Sequence, residues 1–104
     1  MPVERAFLVG APRKGSDDAV HVDEHLDELE RLADTAGAQV IGKTIQRIDA
    51  PTPNFYLGQG KVESLREDLK NANATLLLFD ENLTPVQGVK LEKSSKVEIG
   101  RAHV

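Results

Sequence analysis

Short apolar runs alternating with stretches of helical periodicity constrain this chain more than any other feature. Ala6-Phe7-Leu8-Val9-Gly10 looks apolar on both faces, as in a strand buried within a parallel sheet. From about 22 to 36 the period changes. Val22, Leu26, Leu29, Leu32, Ala33 and Ala36 fall at three- and four-residue steps, which predicts a helix with that face towards a core. Acids crowd its first turns, where the helix dipole favours them, and Gly37 is placed to cap its end. Gln39 to Ile45 reads as a second strand. A second helix is expected over about 60–71, burying Val62, Leu65 and Leu69. Thr75-Leu76-Leu77-Leu78-Phe79-Asp80 is the clearest strand. Thr84-Pro85-Val86-Gln87 then carries an N-cap, a proline at the first helical position and the glutamine of a capping box. A fourth strand is expected from about Lys96-Val97. The order β-α-β-α-β-α-β implies a small three-layer α/β domain. It implies a parallel four-stranded sheet with helices on both faces; the alternation does not dictate the strand order, for which 2-1-3-4 is the guess.

The chain has 104 residues, enough for a single core. Aromatic residues make up only 4%, so that core must rest on Leu, Val, Ile and Ala. The net charge of -4 argues against a protein that coats nucleic acid generically and leaves only a local basic patch for such contact. Without cysteine there is neither a disulfide nor a thiolate metal site, as suits a reducing cytoplasm. The N-terminus lacks the apolar run of a signal peptide, and no apolar run approaches the length of a membrane span.

The segment from Gln46 to Lys61 is the most specified loop. Pro51 and Pro53 stiffen it by fixing φ. Gly58-Gln59-Gly60-Lys61 opens the second helix, where backbone N–H groups, the dipole and a lysine would hold a nucleotide phosphate or an RNA backbone. Equally, the two glycines would serve to turn the chain at positive φ and cap the helix. The spacing is not that of a P-loop or a dinucleotide fingerprint. Arg47 and Asp49 stand at the carboxyl end of the second strand, the edge where parallel sheets gather ligands. There Arg47 would grip a phosphate or pair with Asp49. Tyr56 would stack on a base or pack over the sheet edge.

This loop and its surroundings resemble the N-terminal domain of the HflX family of ribosome-associated GTPases. The match rests on Gln46-Arg47, Asp49, Pro51, Pro53, Tyr56, Gly58 and Gly60-Lys61-Val62-Glu63, together with Phe79-Asp80-Glu81, Leu83-Thr84-Pro85 and Gln87. Glu4-Arg5-Ala6, Leu8-Val9-Gly10 and Thr35-Ala36-Gly37-Ala38 extend it towards the start. The resemblance implies a cytoplasmic parent that binds GTP and Mg²⁺, docks on the large ribosomal subunit and its rRNA, and splits or rescues stalled ribosomes. In that family a helical hairpin and a G domain follow. Their motifs are absent here, so no cofactor and no catalysis are expected of this segment alone. The implied RNA or phosphate contacts are Arg47, Tyr56, Gly58, Gly60, Lys61 and Arg66. An independent ATP- or nucleotide-binding α/β domain is the alternative.

Three other motifs have bland readings. Gly10 to Ser16 is a near miss to a phosphate loop; a plain surface loop over 11–20 is expected, with Arg13 and Lys14 adding to a basic rim. His21-Val22-Asp23-Glu24-His25 fits an inverted zinc-peptidase pattern, but two solvated histidines in an acidic turn explain it. Asp80-Glu81 would bind Mg²⁺ or cap the next turn. Finally, Ile99-Gly100-Arg101-Ala102-His103-Val104 is what ATC GGA AGA GCA CAC GTC encodes, the start of a common sequencing adapter. The expectation is a domain at 1–98 and a non-native tail at 99–104; a genuine stop codon after Val104 in genomic DNA would refute it.

Overall fold

In a computed structural model, which describes residues 2–101, the chain follows the predicted alternation. Its elements are β1 (Arg5–Gly10), α1 (Asp17–Val20), α2 (Val22–Thr35), β2 (Gln39–Ile45), α3 (Gln59–Asn71), β3 (Leu76–Phe79), α4 (Pro85–Ser95) and β4 (Glu98–Arg101). All strand pairs are parallel, as the alternation implies, and the order is β2-β1-β3-β4, the one guessed.

Strand alternation divides the core in two. Phe7, Val9, Leu77 and Phe79 face one way and pack with Val62, Leu65 and Leu69 of α3 and Leu91 of α4. Ala6, Leu8 and Leu78 face the other way and meet Val22, Leu26, Leu29 and Ala33 of α2. Each leucine so enclosed contributes about 1.5–3 kcal/mol. β2 fits against β1 only because Gly42 has no side chain: a Cβ there would lie 2.6 Å from the Phe7 ring.

Helix ends follow the sequence signals. Gly37 takes φ +93°, and the N–H groups of Gly37 and Ala38 reach back to the carbonyls of Asp34 (2.9 Å) and Ala33 (3.0 Å). This pair of bonds satisfies orphan carbonyls at the end of α2. The predicted capping box of α4 forms in full. Thr84 Oγ1 accepts from the Gln87 N–H at 3.1 Å, while Gln87 Oε1 accepts from the Thr84 N–H at 2.9 Å.

Four expectations need correction. Leu32 is 53% exposed and Ala36 is also exposed, because α2 buries a narrower stripe than its apolar pattern offers. The 11–20 segment is not a plain loop: Ala11 and Pro12 are buried, and Ser16 caps the single turn of α1 by accepting from the Ala19 N–H at 3.1 Å. α4 runs on until Lys96 ends it at φ +59°, so β4 begins at Glu98 rather than at 96–97. Gly58, with φ -69°, and helical Gly60 do not use the left-handed region. Residues 99–101 of the suspected tail pair with β3 through their backbone, whereas 102–104 lie outside the described residues. No helix among the described residues is long and apolar enough to cross a membrane.

Candidate nucleic-acid interface

The loop between β2 and α3 is held at both ends and in the middle. At its start, β1 and β2 continue beyond their last ladder residues. Gln46 N–H donates to the Gly10 carbonyl (2.8 Å), Ile48 N–H to Pro12 (3.0 Å) and Lys14 N–H to Ile48 (2.8 Å). In the middle, Thr52 and Tyr56 exchange both backbone bonds at 2.9 and 3.1 Å. Thr52 Oγ1 donates to the Leu57 carbonyl at 2.9 Å and accepts from the Phe55 N–H at 3.4 Å. Pro51 and Pro53 flank Thr52 and fix the turn's entry and exit. Leu57 is driven into the core, 1% exposed.

From the far side, α4 grips the same turn. The buried Gln87 uses its oxygen for the capping box and its Nε2 to donate to the Thr52 carbonyl at 2.7 Å. Lys90 Nζ adds a bond to Asn54 Oδ1 at 3.0 Å. The capping box itself is visible in the sequence. The second role of Gln87 is not, because nothing local says which carbonyl its amide will meet.

Tyr56 is the strained point. A tyrosine at φ +67° sits in the left-handed region that bulky side chains avoid. Two contacts hold it there. Its ring meets Phe79 edge-on, with centroids 5.5 Å apart and planes at 71°. Its hydroxyl faces the Glu81 carboxylate across the sheet edge. Burial first, and then the charge and hydrogen bond of Glu81, push the phenol up to about 12. The ring is therefore committed to the sheet edge, the second of the two readings that its sequence left open.

The second half of the loop differs. Gly58 is the N-cap of α3 and offers no side-chain cap; no acid occupies the first turn. A Cβ at Gly58 or Gly60 would meet nothing within 4 Å. Neither backbone conformation nor packing demands glycine here, and no side-chain cap bonds the first-turn amides.

The cations around this helix start are unequal. Lys61 Nζ donates to the Arg47 carbonyl and so ties the helix to the loop's beginning. The side chains of Arg47 and Arg66 are exposed and have no hydrogen bond or ion pair among the described residues. Arg66 borders a groove of about 440 Å³ between the proline turn and α3, floored by Phe55, Leu57 and Val62. The Arg47–Asp49 pair does not form. Asp49 instead meets Lys14 at 3.3 Å, and its carbonyl accepts from Arg13 Nε at 3.3 Å. Arg13 and Lys14 thus brace the carboxyl edge rather than extend a free basic rim.

His21 and His25 of the histidine motif are both exposed, and His21 Nδ1 lies 3.6 Å from a Glu24 carboxylate oxygen. On the α2 side, the carboxyl edge opens into a groove of about 400 Å³ whose rim carries Asp18, Glu28, Asp80 and Glu81. Glu28 pairs with Arg31, yet acids still outnumber bases along that rim, which disfavours a nucleotide phosphate there and weighs against an independent nucleotide site at that edge.

Residues 23–101 match the family model described as GTP-binding GTPase N-terminal. The GTPase HflX of Lacrimispora saccharolytica is 38% identical over 89 residues, which cover 86% of this chain and 20% of that protein. That of Flavobacterium psychrophilum is 32% identical over 90 residues, covering 86% and 22%. That of Caldanaerobacter subterraneus subsp. tengcongensis is 38% identical over 96 residues, covering 92% and 21%. The chain thus spans about a fifth of the length of these relatives. With its sheet order, its braced proline loop and this match over most of its length, the chain belongs to the family of GTPase N-terminal domains, as the N-terminal domain of an HflX-type protein.

Proposed function

We propose that this domain docks a longer cytoplasmic GTPase onto RNA of the large ribosomal subunit, and that the parent uses GTP and Mg²⁺ to split or rescue stalled ribosomes. One observation carries the reading: a loop fixed by Gln87, Thr52 and Tyr56 presents Arg47, Arg66 and an uncapped helix start with no partner of their own among the described residues. Preorganised cations and backbone amides suit a phosphate backbone because little ordering remains to be done on binding. Gly58 and Gly60 let an RNA strand approach the amides closely. Lys61 keeps two of its three donors for phosphate after its bond to Arg47. Tyr56 contributes shape from beneath.

The test is ribosome association of the full-length parent carrying Arg47→Ala and Arg66→Ala. The affinity should fall, and the salt dependence should flatten by about one unit for each phosphate that is no longer neutralised. Wild-type affinity and slope would remove RNA docking from this surface. Residues 99–104 are likewise held to be a non-native tail, for which the parent gene's own sequence is the check.

A further inference from the structure

The two edges of the sheet are β2 and β4. Among the described residues β2 pairs with β1 alone. The Gln39 and Gln46 amides at its two ends both reach towards that side, to the Glu4 and Gly10 carbonyls at 2.8 Å each. Alternate backbone groups along its seven residues therefore point the other way, as an open ladder. The edge is also partly apolar. Val40 and Ile45 pack against the core beneath α2. Ile41 is the extra residue of a bulge: Ala6 pairs with Val40 and Phe7 with Gly42, so Ile41 has no partner on β1 and is half-buried.

α2 borders this edge. Between them runs a groove of about 480 Å³, lined by Asp27, Glu30, Arg31 and Asp34 of the helix and by Gln39 and Val40 of the strand. Its charge is one-sided. α2 carries six carboxylates and one arginine. Arg31 is already engaged by Glu28, and Lys43 of β2 divides itself between Asp27 (3.5 Å) and Glu30 (3.2 Å). The exposed Asp34 carboxylate has no ion pair or hydrogen bond among the described residues. Charge therefore selects the occupant. Two copies paired antiparallel at this edge would set one acidic helix against another, and a phosphate backbone would be repelled. A strand with basic side chains on the α2 side is attracted.

We propose that the β2 edge takes up an extended, lysine- or arginine-rich segment of another protein by strand addition. The segment's backbone completes the open ladder, and its basic residues, at every second position, meet Asp27, Glu30 and Asp34. Recognition is of alternating basic residues on an extended backbone rather than of positive charge alone. It does not rest on RNA docking, so the two ideas fail separately.

The probe is a fluorescein-labelled peptide of alternating arginine and threonine, long enough to span β2. It is titrated by anisotropy against the 104-residue chain and against the full-length parent. It should bind both, and hydrogen exchange at the β2 amides should slow roughly tenfold in the complex while β4, the other edge, is unchanged. Asp27→Asn combined with Asp34→Asn, both at exposed positions, should weaken binding roughly tenfold. Two analogues keep every charge but carry N-methyl groups, one on its arginine amides and the other on its threonine amides. Only one of these sets can face β2, so one analogue should bind roughly tenfold more weakly than the other. Equal affinity of the two analogues assigns the peptide to charge attraction alone and overturns the proposal. So does the absence of binding, or binding without protection of β2. Binding by the short chain but not by the parent assigns the edge to another part of the parent. Protection of β2 that grows with protein concentration in the absence of peptide assigns it to a second copy. Either result overturns the proposal as well.

Discussion

Thr52–Leu57 and Gly58–Lys61 are consecutive in the loop, yet they obey opposite rules. In the first stretch the side chains serve the fold: Thr52 bonds through its backbone and hydroxyl, Leu57 is buried, and Tyr56 endures a left-handed backbone to set its ring edge-on to Phe79. In the second, the helix start has no side-chain cap, a Cβ at either glycine would meet nothing within 4 Å, and Arg47 and Arg66 nearby stand without partners among the described residues. The contrast teaches that the specified composition of this loop serves two ends. The prolines, threonine and tyrosine set a shape; the glycines and cations are what that shape displays. Substitutions in the first stretch should therefore cost stability, and those in the second should cost binding.

The largest break in this comparison is Leu57→Ala. It empties a buried site in the α3/α4 core and should destabilise the domain by about 2–5 kcal/mol. For a domain of this size that lowers the thermal midpoint by roughly 10 °C or more. A midpoint within a degree or two of wild type would mean the turn is not anchored through this side chain.

Gln87→Ala comes next. It removes one of the two donors to the Thr52 carbonyl, which keeps the Tyr56 N–H, and takes away one acceptor of the capping box, a loss of about 1–3 kcal/mol in chemical denaturation. Gln87→Glu sharpens the reading. It keeps the acceptor for Thr84 and loses the donor to Thr52, so it should recover only part of that loss. Full recovery would show that the box alone matters and that α4 does not hold the loop.

Tyr56 offers a direct optical check, since it is the chain's one tyrosine and there is no tryptophan. The phenolate absorbance should titrate near about 12 in the folded protein, against an ordinary 10.0 when unfolded. The sign follows: the folded state holds the phenolic proton more tightly, so this contribution to stability is intact below pH 10 and is lost as pH rises through about 12. Glu81→Gln should lower the folded midpoint without returning it to 10.0, because burial is the larger cause. A folded midpoint at 10 would place the hydroxyl in open water.

Much of this was legible beforehand because it is local. Strand runs, the helix stripe of α2, Gly37 and the Thr84–Gln87 box each declare themselves within a few residues, and right-handed crossovers limit how such pieces assemble. The candidate site was legible as a composition but not as an arrangement. Asp49 chose Lys14 over Arg47, Gln87 reached 35 residues back to Thr52, and Tyr56 took a positive φ that its residue type disfavours. Each depends on how β1, β2 and α4 are brought together, and no sequence window contains all three. Leu32 failed for a related reason. The periodicity of α2 is real, but how much of that stripe is covered depends on what packs beside the helix.

The smallest expected effect is the most discriminating. Gly60 lies in the first turn of α3 with a helical backbone and open space, so Gly60→Ala should raise stability by about 0.5–1 kcal/mol by restricting the unfolded chain. If the glycine serves only the fold, nothing else should change, and ribosome association of the parent should hold or improve slightly with the firmer helix. If it leaves room for an RNA backbone over the helix start, the same methyl group should weaken association while the isolated domain becomes more stable. A gain in stability with a loss of binding, measured on one variant, separates the displayed half of the loop from the half that shapes it. A gain in both would return Gly60 to the ordinary run of helix residues and leave Arg47 and Arg66 to carry the interface alone.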